Sequence, residues 1–128
     1  MNEDELFEAV EKIRADTEFV ESETGAVKGR KLAQLGAIDP DALLDLAKLA
    51  GHGAQKYDRL NYLKGHNWSM YFDAMMRHAL AFWAGEEIDP ETGLTHMVHA
   101  AWCALALSSY FKHGIGTDDR FRLTKPEK

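Results

Sequence analysis

Two stretches of this chain, residues 68–84 and 95–112, carry apolar side chains around almost the whole circumference of a helix. In the first, Met70, Tyr71, Phe72, Met75, Met76, Leu80, Phe82 and Trp83 leave only Asp73, Arg77 and His78 as strongly polar interior positions. A helix that is apolar all round belongs in an interior. Two of them within 128 residues need more cover than so short a chain readily supplies. That predicts burial of both helices and a homo-oligomer, a dimer or larger. Neither stretch spans a bilayer, because the longest uninterrupted apolar run, Ala100 to Leu107, falls far short of the roughly 20 residues required.

The rest of the pattern is also helical. Asn2 caps a first helix running to about Ala15, with Leu6, Val10 and Ile13 at helical spacing and acids in the first turn. Glu21 to Gly36 is polar and glycine-bearing and reads as an irregular linker, or one ordered by a ligand. Asp39 at a cap position and Pro40 at the first helical position then open a helix to about Tyr57. Gly51 and Gly53 lie inside it and suit close approach of a neighbouring helix or a ligand. A loop over 61–67 precedes the third helix, which Gly85 ends. Thr92 or Thr95 opens the fourth, Gly114 ends it, and the tail beyond, with Lys125-Pro126, reads as peripheral. No strand pattern competes, so the expected fold class is all-α, a compact bundle of about four helices.

Charge is unevenly spread over the net −6. Residues 1–24 hold nine acids against Lys12 and Arg14, a local balance of −7, so the other residues together carry +1. Bases gather next, with Lys28, Arg30, Lys31, Lys48, Lys56, Arg59 and Lys64; between Arg77 and Lys112 there is none, while Glu86, Glu87, Asp89 and Glu91 cluster. Such a chain can present basic groups to phosphate and carboxylates to a metal, although solvated faces of unrelated elements give the same pattern. The acidic N-terminus is unlike a secretory signal and one cysteine excludes an intramolecular disulfide, so the cytoplasm is the expected location.

Chemistry is sought where polar groups enter the apolar helices. His96, His99 and Cys103 share one face of the fourth helix, since 3.6 residues make a turn. The histidines suit metal ligation with help from Glu86, Asp89 or Glu91, or substrate hydrogen bonding, or a satisfied interior; Cys103 reads as structural. Asp73 and Arg77, four apart, can pair with each other, or Arg77 can bind phosphate, and His78 points away from both. Lys56, Tyr57, Arg59, Asn61, Tyr62 and Lys64 mix cations with tyrosines and an amide, a combination suited to phosphates and a stacked base, or to a solvated helix end.

From Lys28 to about Tyr110, about two thirds of the chain, the sequence resembles the N-terminal domain family of phage-type dATP/dGTP diphosphohydrolases, relatives of the MazG-like all-α nucleoside triphosphate pyrophosphohydrolases. The matching pieces are Ile38-Asp-Pro-Asp-Ala-Leu-Leu, Gly53-Ala-Gln-Lys-Tyr, Asn61-Tyr-Leu-Lys-Gly, Arg77-His78, Gly85-Glu-Glu-Ile-Asp-Pro-Glu-Thr-Gly93 and His96-Met-Val-His99-Ala-Ala-Trp-Cys. The resemblance implies cleavage of a purine deoxynucleoside triphosphate to the monophosphate and pyrophosphate, with a divalent metal, Mg or Mn, in the host cytoplasm if the gene is a phage's. It also implies two parts, an acidic N-terminal helix over 1–24 and a single all-α pyrophosphohydrolase-like domain over 25–128.

The wider MazG-like pattern holds magnesium with an E-x-x-E and an E-x-x-D pair. Here histidines stand where the second pair is sought, and the first is not evident near Leu46 to Tyr57. The expected metal set is therefore Glu86, Asp89, Glu91, His96 and His99, with Glu86, Asp89 and His99 catalytic. The expected substrate contacts are Lys28, Arg30, Lys31, Lys56, Tyr57, Asn61, Lys64, Arg77 and His78. A pocket that binds or sequesters nucleotide without turnover is the alternative. The expected partners are the nucleotide and further copies of the chain, with neither nucleic acid nor membrane.

Overall fold

In a computed structural model, which describes residues 2–15 and 17–122, the chain divides after residue 40 into two compact units. Lys125-Pro126 lies outside the described residues.

The first unit opens with α1, Glu3–Ala15. Asn2 caps it as expected: its Oδ1 accepts the Glu5 amide at 2.8 Å, and its own amide donates to Glu5 Oε2 at 3.2 Å. Two donors left orphaned at a helix start are thereby satisfied reciprocally. The chain is mostly helical with four α-helices, as expected, but a small two-stranded sheet departs from a strictly all-α fold. Thr17–Glu21 (β1) and Val27–Lys31 (β2) form an antiparallel hairpin with Thr17 opposite Lys31 and Glu21 opposite Val27. Its turn is closed by Gly25, at φ +85°, whose amide donates to the Ser22 carbonyl, while the Ala26 amide donates to Ser22 Oγ. Glycine is needed for that left-handed conformation. Residues 27–31, expected to be irregular, are thus a strand, and the division expected after residue 24 falls in the hairpin turn.

The second unit holds α2 (Pro40–Lys56), α3 (Trp68–Trp83) and α4 (His96–His113), with a 3₁₀ turn at Asn61–Lys64. α2 begins at the expected proline. No atom from outside the local α2 backbone lies within 4 Å of where a Cβ would sit on Gly51 or Gly53, so no neighbouring helix approaches closely at these glycines. The end of α3 is a Schellman closure, with the Gly85 amide on the Phe82 carbonyl and the Glu86 amide on the Ala81 carbonyl. α4 is capped by Thr95, whose side chain accepts the Val98 amide, and ended by Gly114 at φ +64°.

α3 and α4 pack together, with Tyr71 edge-on to Tyr110 at 5.3 Å between ring centres. Tyr110 is fully buried and donates its hydroxyl to the Tyr62 carbonyl. Leu49, Cys103 and Ala106 are the other buried apolar residues among those described. Complete burial of α3 is not observed. No described residue of α3 is buried, and Leu80 and Trp83 are 61% and 86% exposed, because α4 covers only one side of the helix.

The tail is not peripheral either. Asp119 accepts the Ser69 amide (2.9 Å) and hydroxyl (2.5 Å), Thr117 accepts the Trp68 amide, and Ile115 accepts the Trp68 indole N–H. Residues 115–119 therefore satisfy the first turn of α3, whose Asn67 makes no side-chain cap. The close crossing requires Gly116, where a Cβ would lie 2.3 Å from the His66 carbonyl oxygen.

Candidate functional site

The connection from α3 to α4 is a short loop pinned to itself. Ile88 and Thr95 form an antiparallel bridge, the Asp89 amide donates to the Leu94 carbonyl, and the His96 amide donates to the Glu87 carbonyl. Asp89-Pro90 starts a turn that Gly93 closes at φ +73°, its amide on the Asp89 carbonyl. Within the turn Asp89 Oδ2 accepts both the amide (3.2 Å) and hydroxyl (3.1 Å) of Thr92, an arrangement that fixes the carboxylate.

Thr92 passes this order on to α4. Its Oγ1 lies 2.7 Å from His99 Nε2 and accepts the Leu94 amide at 3.2 Å. A hydroxyl has one proton and two lone pairs. The proton goes to Asp89 and one lone pair to Leu94, so the remaining lone pair takes the Nε2 proton of His99. His99 is then the tautomer with an unprotonated Nδ1. Asp89 Oδ2, 3.3 Å from the same Nε2, supports it, and both side chains are only 13% exposed.

Two further histidine contacts complete the group. His96, 4% exposed, lies 2.7 Å from Glu86 Oε1 through Nε2 and 2.9 Å from His78 Nδ1 through its own Nδ1. His78 stacks on His99 with ring centres 4.2 Å apart and planes 15° from parallel. Burial, aided by the neighbouring imidazoles, holds His78 below the ordinary histidine range. Burial likewise lowers His99 despite the opposing pull of Asp89. For Asp89 burial acts upward but is outweighed by the Thr92 hydrogen bonds, so its carboxyl is held low. The result is an ionised carboxylate beside two neutral imidazoles near neutral pH.

One helical turn along α4 from His99, Trp102 lines a cavity of about 580 Å³. Its wall is built from Gly51 and Gly53 of α2, from Tyr57 just past its end, and from Asn61 and Tyr62 of the 3₁₀ turn. Trp102 and Tyr62 meet edge-on at 5.1 Å. Leu60, also in the wall, has φ +63°, a backbone conformation that costs leucine roughly 1–2 kcal/mol. The glycines of α2 thus give room to this cavity.

The other residues expected at a site are placed as follows. Lys56 pairs with Glu91 at 3.4 Å and its ammonium lies 5.6 Å from the Tyr57 ring centre. Lys64 pairs with Asp58 at 2.8 Å. Arg77 and Asp73 are both exposed and form no ion pair with each other, so of the two readings of Arg77 the pairing with Asp73 is not observed. Lys28, Arg30 and Lys31 are on β2 of the first unit, opposite Val20, Glu18 and Thr17, and the Lys31 ammonium donates to Thr17 Oγ1. His78, expected to stand apart, faces His96 and His99. Tyr71, seven residues before it, packs on α4 too, and that spacing is the signal for the shared face. Thr92, read from the sequence only as an alternative start of the fourth helix, instead belongs to the turn, and a threonine three residues after the aspartate of an Asp-Pro pair is a turn signature.

The ligand atoms of His78, Asp89 and His96 lie within 4.8 Å of one another, so this donor set fits a single divalent cation. Cys103 is buried, and its thiol is pushed up by that burial, which suits a packing role. Among the described residues no helix is long and apolar enough to cross a membrane.

Comparison with known proteins gives one family. That described as dATP/dGTP diphosphohydrolase, N-terminal, matches residues 22–120. A dATP/dGTP diphosphohydrolase of Salmonella phage PMBT28 is 33% identical over 97 residues, 76% of this chain and 33% of the relative. The chain therefore spans about a third of the length of that curated relative. No solved structure matches it.

Proposed function

Because the chain belongs to the dATP/dGTP diphosphohydrolase N-terminal family, we propose that it hydrolyses a purine deoxynucleoside triphosphate to the monophosphate and pyrophosphate. The observation that carries this reading is the Asp89–Thr92–His99 chain, which fixes a neutral imidazole with an unprotonated Nδ1 one helical turn from an aromatic cavity.

In this reading the base occupies the cavity between Tyr57, Tyr62 and Trp102, where flat rings and the Asn61 amide suit a purine. His99 takes a proton from water at Nδ1. The water oxygen bonds to the α-phosphorus, the bond from that phosphorus to the bridging oxygen breaks, and pyrophosphate leaves with the electron pair. Asp89, acting through Thr92, supports the imidazolium that forms. Lys56, Lys64 and Arg77 offset phosphate charge. The pairs Lys56–Glu91 and Lys64–Asp58 are solvent-exposed, so each ammonium exchanges its carboxylate for phosphate at small cost. A divalent cation, Mg or Mn, supplies charge stabilisation at the phosphoryl oxygens when bound. His78, Asp89 and His96 are the residues that would hold it, Glu86 and His99 orient those ligands, and Glu91 of the expected metal set pairs with Lys56 instead. The whole assignment uses the second unit alone.

We further propose a homo-oligomer formed through the uncovered sides of α3 and α4, supported by exposed Leu80, Trp83 and Phe111. The direct test is product analysis: purine and pyrimidine dNTPs and NTPs with magnesium, manganese or cobalt. Release of dAMP or dGMP with equimolar pyrophosphate is expected. Tight nucleotide binding with no pyrophosphate or phosphate under any of the three metals would replace hydrolysis with sequestration.

A further inference from the structure

We propose that His78 and His96 bind one first-row transition cation through their Nδ1 atoms, with Asp89 as third protein ligand, and that the site selects such a cation over magnesium. The inference sharpens the cation of the proposed reaction but rests on side-chain geometry alone, independent of the substrate.

The starting point is an uncommon approach of like atoms. The two Nδ1 atoms are 2.9 Å apart, on rings that are neither parallel nor stacked, at 42° and 5.2 Å between centres. Two nitrogens bound cis to one cation at about 2.1 Å each lie roughly 3 Å apart. The alternative is a hydrogen bond, which needs a proton on one of the two.

The surroundings leave His96 with a lone pair facing His78, and a cation takes the place of the proton that would otherwise join the two nitrogens. Glu86 Oε1 sits 2.7 Å from His96 Nε2, so the carboxylate takes that proton and leaves Nδ1 of His96 as a lone-pair nitrogen. This carboxylate–histidine arrangement is the usual outer support of a metal-binding imidazole. The His78 ring is held in place by stacking on His99, itself fixed through Thr92. Asp89 Oδ2 is engaged by Thr92, while Oδ1 accepts no hydrogen bond among the described residues. All three side chains are thus oriented by groups outside the donor set, and their ligand atoms fall within 4.8 Å of one another.

The donor chemistry decides the cation class. Magnesium takes oxygen ligands and dehydrates reluctantly, whereas imidazole nitrogens suit manganese, iron, cobalt, nickel or zinc. Two nitrogens and one carboxylate leave the remaining coordination positions for water or phosphate oxygen.

Cobalt(II) is the probe for the test, because its ligand-field absorption reports nitrogen ligation without any turnover. The full chain, stripped with a chelator, is titrated with cobalt chloride in the presence of excess magnesium. One cobalt per chain with visible ligand-field bands is expected. His78→Ala and His96→Ala should bind it at least tenfold more weakly, and Glu86→Gln about ten- to a hundredfold more weakly through loss of its support to His96. In the unmodified protein, manganese(II) should broaden the ring proton resonances of His78 and His96 and leave those of His113 sharp, a reading that holds even if a variant fails to fold. Equal cobalt affinity in folded His78→Ala and the unmodified protein would overturn the assignment, as would full competition by magnesium or uniform broadening of all histidines. Absent hydrolysis with the cobalt site intact would count against the proposed reaction and not against the site.

Discussion

The Thr92 hydroxyl lies 2.7 Å from His99 Nε2 while donating to Asp89 Oδ2 at 3.1 Å. Every hydrogen-bonding position on that oxygen is used, since the Leu94 amide takes the other lone pair. Thr92→Val therefore removes three contacts with almost no change of shape. Pyrophosphate release should fall by about 10²- to 10⁴-fold, the loss expected of His99→Ala itself, and Thr92→Ser should restore most of it. Steady-state kinetics should show the loss in kcat with little change in KM. A valine variant of normal activity would remove His99 from its proposed role.

The glycines of α2 separate stability from binding. Gly51 and Gly53 are helical and have open space where a Cβ would sit. Gly51→Ala should stabilise the protein by about 1 kcal/mol, a rise of a few degrees in Tm. A larger side chain at position 53, as in Gly53→Leu, should fill the cavity and weaken purine nucleotide binding by at least tenfold. Calorimetric titration beside a thermal scan checks both.

Tyr110 ties the helix pair to the 3₁₀ turn through its hydroxyl on the Tyr62 carbonyl. That carbonyl also accepts the Gly65 amide, so Tyr110→Phe should cost only about 1 kcal/mol. Burial raises the Tyr110 phenol well above its ordinary range. A raised folded pKa favours the protonated form in the native state, so this contribution is whole below the unfolded value of about 10 and is lost as pH rises beyond it. Denaturant titrations from pH 8 to pH 11 should show stability falling above about pH 10, with a shallower fall in Tyr110→Phe.

Leu80 and Trp83 project from α3 into solvent, at 61% and 86% exposure. Light scattering at micromolar concentration should give a dimer or larger assembly. The double variant Leu80→Arg, Trp83→Glu should give a monomer with unchanged helical circular dichroism. A monomeric unmodified protein would refute association.

How much was legible beforehand depended on whether the signal was local. The Asn2 cap, the Asp39-Pro40 start of α2 and the Thr95 and Gly114 ends of α4 are short-range chemistry written in adjacent residues. The hairpin was not legible because half the residues of Thr17–Glu21 and Val27–Lys31 are charged, and their strand character comes from pairing with each other. The tail was missed for the same reason: Asp119 matters through Ser69, fifty positions away. At the candidate site the spacing of His96 and His99 and the nearby acids could be read directly. The turn of His78 toward them is a property of how α3 packs on α4, visible only in the seven-residue interval from Tyr71.

The Schellman closure of α3 and the self-pinned loop after it have a kinetic consequence. His78, Glu86, Asp89, Thr92, His96 and His99 occupy 22 consecutive residues, so the contacts that join them have short sequence separation. Closing so small a loop costs little chain entropy, and contacts of this kind form early in folding. The donor set is therefore assembled as soon as two neighbouring helices pair, without waiting for chain-wide ordering. A recombination event that moves this one segment carries every proton-transfer and cation-binding group with it, while the cavity wall, from α2 and the 3₁₀ turn to Tyr71 and Trp102, is supplied by the recipient on both sides of the segment.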